Sequence, residues 1–117
     1  TESLVHMGQA HAALGDLEEA KCLFKQAYPV AREAKWFLVI ISTLISFIEV
    51  INGPSPETKL AVILSVLAHP GITPNMRERC ERIRRELRPA LTSEQIEAAQ
   101  QRAEATQVET WADEIIL

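Results

Sequence analysis

Apolar residues run almost unbroken from Trp36 to Ile51, with only Ser42, Thr43, Ser46 and Glu49 polar. Ser42, Ser46 and Glu49 stand at i, i+4 and i+7, which in a helix makes one narrow stripe. β-branched residues are frequent here and favour a strand. The run is long for a strand, however, and its polar positions have helical period. The pattern therefore predicts a central helix, apolar over most of its circumference, that needs neighbours on more than one side. The run falls short of the ~20 residues a bilayer span takes, and Glu49 sits inside it, which argues against a membrane segment.

The flanking segments also read as helices. Leu4, Met7, Gly8, His11 and Ala12 share one face of a first helix over residues 2 to 14. Gly8 costs about 1 kcal/mol there relative to Ala, which makes sense if another helix passes very close. Gly15 suits the residue just past that helix. Asp16 with Glu19 has capping-box spacing for a second helix, whose inward positions are Ala20, Leu23, Phe24 and Ala27. Glu18 and Lys21 are spaced for a weak helical ion pair. Pro29 should kink this helix or end it near Tyr28, with a helical turn resuming over residues 30 to 35. After Asn52-Gly53, Ser55-Pro56 opens a helix over 57 to 68, with Leu60, Ile63, Leu64 and Leu67 inward. Thr73-Pro74 opens a fifth, over 74 to 88, with Met76, Cys80, Ile83 and Leu87 in one stripe. Thr92 or Ser93 caps a sixth, carrying Ile96, Ala99 and Ala103. Thr106 with Glu109 has the spacing to cap a last one, with Val108, Trp111, Ile115 and Leu117 inward.

Few Gly and Pro among so many periodic segments make the expected fold class all-α, with about seven helices. A net charge of −4 lacks the basic excess of a general nucleic-acid binder. The fifth segment alone is basic, with six arginines against three glutamates. Glu78–Arg82 and Glu81–Arg85 can pair along it at i, i+4. No aromatic interleaves those arginines for base stacking. Cys22 and Cys80 do not make a disulfide framework. Reduced thiols in a cytosolic protein are the expected state, with a single bridge the other option. Cys80 lies on a buried stripe and Cys22 beside one. His6, His11 and His69 lack metal-ligand spacing, and no Ser, His and acid arrangement can be built. No catalytic, metal or cofactor residue is therefore assigned, and the chain reads as non-enzymatic. The stripe of Ser42, Ser46 and Glu49 either lines a binding groove or marks where a buried helix meets solvent, its hydroxyls bonding back to helix carbonyls.

Leu4, Met7-Gly8, His11, Gly15-Asp16-Leu17, Ala20, Phe24 and Ala27 together resemble one unit of the tetratricopeptide repeat. Small Gly8 and Ala20 would let paired helices cross tightly, Leu4 and Phe24 would fill the space beside them, and Ala27 would admit the next repeat. The family's aromatic at His11 and proline at Arg32 are missing. A degenerate second unit follows, with Ile45-Ser46 on Met7-Gly8, Gly53 on Gly15, Ile63 on Phe24, and Lys59 in place of Ala20. From His69-Pro70 to Leu117 the chain resembles the C-terminal end of bacterial STAND-class signal-transduction ATPases and related regulators. These resemblances imply an α-solenoid of antiparallel helix pairs: two repeat-like pairs over 1–71 and capping helices over 72–117. They also imply a cytoplasmic protein-interaction module at the sensor end of a signalling ATPase. Its partner would be another protein or upstream domains of the same chain, met on a concave surface that includes Gln9, Ser42, Ser46 and Glu49. The alternative is a small-molecule effector held in the same groove. The chain starts with Thr inside a periodic pattern and is expected to be a piece of a longer protein. Self-association through the outer face of the first helix, including Val5 and Ala13, would follow.

Overall fold

The computed structural model describes residues 2–50 and 55–116, with side chains over 6–49 and 55–116. Every element among them is helical: α1 (Glu2–Ala13), α2 (Leu17–Ala34), α3 (Phe37–Val50), α4 (Pro56–Leu67), α5 (Pro74–Leu87), a 3₁₀ turn (Arg88–Ala90), α6 (Ser93–Ala105) and α7 (Val108–Ile116). The all-α class and the seven helices match the expectation. Contacts group the chain into two compact units, one of Thr1–Ile51 with Ala112–Leu117, the other of Asn52–Trp111.

In the first unit α1, α2 and α3 pack on one another. The core of α2 is Ala20, Leu23, Phe24, Ala27, Tyr28 and Ala31. In α3, Ile40, Ile41, Leu44, Ile45, Phe47 and Ile48 are all buried, as the apolar run demands. Gly8 sits against Phe24: a Cβ there would meet Cε1 of the ring at 2.5 Å. Helix α1 ends in a Schellman turn, with Gly15 at φ 85°, Asp16 N–H on the His11 carbonyl (2.8 Å) and Gly15 N–H on that of Ala12 (3.0 Å). Helix α2 ends the same way, but with Lys35 at φ 57° in the left-handed position.

Three expectations in this unit change, and one ion pair forms as expected. Helix α2 runs through Pro29 to Ala34 instead of ending near Tyr28. Proline removes one N–H and crowds one carbonyl, and both Pro29 and Lys25, one turn before it, are on the exposed side, where water can bond the freed carbonyl. Asp16 does precede α2, but its side chain makes no cap bond; it lies 3.4 Å from His11 Nδ1. Met7, expected inward, is half exposed. The Glu18–Lys21 pair forms at 3.0 Å, and its lysine is half buried. Leu4 and Val5 lie outside the described side chains, and Ala13 is exposed.

In the second unit α4 packs on α5 and α6. Ser55 caps α4, Thr73 caps α5, and Thr92 forms a reciprocal capping box with Gln95 at the start of α6. Helix α4 is buried more fully than its pattern suggests, with Ala61, Val62 and Val66 joining Leu60 and Ile63. The arginines of α5 form the pair Glu81–Arg84 at 2.8 Å, at i, i+3 and not at i, i+4. Thr106 follows the end of α6, so Gln107 and not Thr106 precedes α7. In α7, Val108, Trp111 and Ile116 are buried, and Ile115 is only partly covered.

Candidate interaction surface

The polar stripe of α3 is graded in exposure. Ser46 and Thr43 are buried, Ser42 is half buried, and Glu49 is exposed. Thr43 donates its hydroxyl back to the Val39 carbonyl at 2.7 Å, the local bond by which a helix satisfies a buried hydroxyl. Ser46 accepts from Gln9 Nε2 of α1 at 3.1 Å, across 37 residues of sequence. Two of the four residues expected on the binding surface, Gln9 and Ser46, are therefore joined. They tie α1 to α3, while Ser42 and Glu49 lie one turn before and one turn after Ser46 on the same side. Ala20, Phe24 and Ala27 are fully buried, and Phe24 meets Gly8 where α1 comes close to α2.

No family model, no curated protein and no solved structure matches this chain. The case for any function therefore rests on the residues themselves.

Two polar clusters escaped the sequence reading. In the first unit Tyr28 donates its hydroxyl to Asp113 Oδ1, and Arg32 reaches the same carboxylate with Nε (3.3 Å) and a terminal nitrogen (3.4 Å). Burial, and then the adjacent carboxylate, push the Tyr28 hydroxyl well above its ordinary range. The Tyr28 bond first, and then the Arg32 bond, hold Asp113 below the usual carboxylate range. In the second unit the buried Trp111 indole N–H donates to Ser65 Oγ (3.0 Å), which donates to the Ala103 carbonyl (3.1 Å). The Arg102 guanidinium lies 5.3 Å from the Trp111 ring centre and donates to Thr58 Oγ1 at 3.1 Å. These partners are 85 and 46 positions apart, so no local spacing announces them. The available hints were single polar residues inside apolar patterns, Ser65 in α4 and Asp113 in α7.

Both cysteines are free, Cys22 exposed and Cys80 buried. No group of three or more metal-binding side chains occurs among the described residues, nor does any described helix have the length and apolarity to cross a membrane.

Proposed function

We propose that this chain is a non-catalytic, tetratricopeptide-like interaction module, in which α1 and α2 form one helix pair and α3 opens the next. The observation that carries this reading is the Gln9–Ser46 bond. It links α1 to α3, the helices that a stack of antiparallel pairs sets side by side on its inner face. The close approach of Gly8 to Phe24 supports it, because a repeat of this type needs a small residue where its two helices cross. The partner is a protein, or another domain of the same polypeptide, lying across α1 and α3. Ser42 and Glu49 contact it, while Gln9 and Ser46 hold the spacing between the two helices. A cytoplasmic setting at the regulatory end of a bacterial STAND-class ATPase rests on the sequence resemblance alone.

A photoreactive amino acid placed at Ser42 or Glu49 should crosslink the bound protein. The same group at exposed Glu33 of α2 should not. Crosslinking from Glu33 with none from the two α3 positions would overturn the assignment of the face.

A further inference from the structure

A second site in the first unit lies away from the serine stripe. A hollow of about 500 Å³, open to solvent, is lined by Lys21, Cys22, Lys25 and Gln26 of α2, with Phe47 of α3 and Ile115 of α7. That volume is within the range of small-molecule pockets. Its lining is divided by chemistry. Phe47 and Ile115 are apolar and contribute no hydrogen-bonding side chain. The α2 residues line the other side, and two of them are cationic and one turn apart. Glu18 also borders the hollow, but its carboxylate already sits 3.0 Å from Lys21. Lys25 makes no ion pair among the described residues, so one positive charge of the lining is left uncompensated. Gln26 is partly used as well, donating to Cys22 Sγ at 3.4 Å.

The geometry points to a binding site for a small monocarboxylate with an apolar body, its carboxylate on Lys25 and its chain along half-covered Ile115, with buried Phe47 closing the floor beneath. The charge count favours a monoanion, because a dianion would have to displace Glu18 from Lys21. An apolar amine would place like charge against Lys25. The site does not depend on the α1–α3 reading, since it shares no residue with that surface.

Cys22 is a reporter already in place: it borders the hollow and is exposed, while buried Cys80 marks any unfolding. The experiment follows alkylation of Cys22 by iodoacetamide, read by mass spectrometry on the intact chain. The probes are octanoate, octylamine and acetate. Octanoate should slow Cys22 alkylation, by about tenfold at ten times its dissociation constant, with Cys80 unmodified throughout. Octylamine and acetate should leave the rate unchanged. In Lys25→Gln the ratio of rates with and without octanoate should return to about one, while the melting temperature of the free protein stays that of the parent. Equal protection by octylamine, retained protection in Lys25→Gln, or no protection by octanoate would each overturn the assignment.

Discussion

The tightest contact in the first unit is the one between Gly8 and Phe24, and Gly8→Ala tests it. On a free helix face this change stabilises by about 1 kcal/mol through helix propensity. Here the added methyl would stand 2.5 Å from Phe24 Cε1 and 2.9 Å from Cδ1, far inside van der Waals contact. Phe24 is fully buried, so its ring cannot swing into solvent. Overpacking of this kind costs about 1–3 kcal/mol, which outweighs the propensity gain. The expected result is a net loss of about 1 kcal/mol, or a melting temperature lower by about 4 °C. The assay is urea unfolding followed by circular dichroism, with the slope checked against the parent. Phe24→Leu, which withdraws the ring, should cost less in the Gly8→Ala background than alone, with a coupling of about 1 kcal/mol. A Gly8→Ala variant more stable than the parent would refute the reasoning, because it would mean that α1 does not approach α2 closely at this position.

The remaining predictions concern single residues. Lys35→Gly should stabilise by about 0.5–1 kcal/mol in the same assay, because Lys35 holds a left-handed backbone at φ 57° that glycine adopts without Cβ strain; a loss would show that the lysine side chain contributes more than its backbone costs. Ser65→Ala should destabilise by about 1–3 kcal/mol, since it strips the buried Trp111 indole N–H of its acceptor, and Trp111 fluorescence should shift with it. Asp113 has its folded pKa depressed, so its contribution to stability is present above the unfolded carboxylate pKa and is lost as pH falls through the folded value. Tyr28 has its folded pKa raised, so its contribution is present below about pH 10 and is lost as pH rises towards the folded value. Asp113→Asn should flatten the acid limb of a stability–pH curve; an unchanged limb would remove Asp113 from the account.

Much of the helical framework was legible because its signals are local. Ser55-Pro56, Thr73-Pro74 and Thr92 with Gln95 mark helix starts through side-chain bonds three residues long, and all three form. The burial of Ile40, Ile41 and Thr43 to Ile48 followed from a run with almost no polar side, although Trp36 and Leu38 at its start stay half exposed. Pro29 misled because proline ends a helix only where the freed carbonyl lacks another partner, and the side of α2 that meets water depends on packing. Lys35 gave no warning of a helix end, since lysine has no preference for the left-handed region. The polar stripe of α3 was only half readable. The periodicity of Ser42, Ser46 and Glu49 is visible in the sequence, but their different burial is not: Ser46 is buried and bonded to Gln9, while Glu49 is exposed. That difference depends on where α1 lies, and nothing within α3 encodes it. Tyr28 and Asp113 show the same limit at longer range.

The Tyr28–Asp113 bond spans 85 positions, and this separation sets an order of events on the ribosome. At roughly 5–20 residues per second, synthesis reaches Asp113 about 4–17 s after Tyr28. For that interval α2 carries a phenol whose hydroxyl has no carboxylate to receive it. The hollow bordered by Ile115 lacks one of its walls for as long. The nascent helices therefore wait, with apolar surface uncovered, for the last turn of α7. Slow codons or a stall between these points would lengthen the wait, and a holdase chaperone would be expected to recognise the chain in that window.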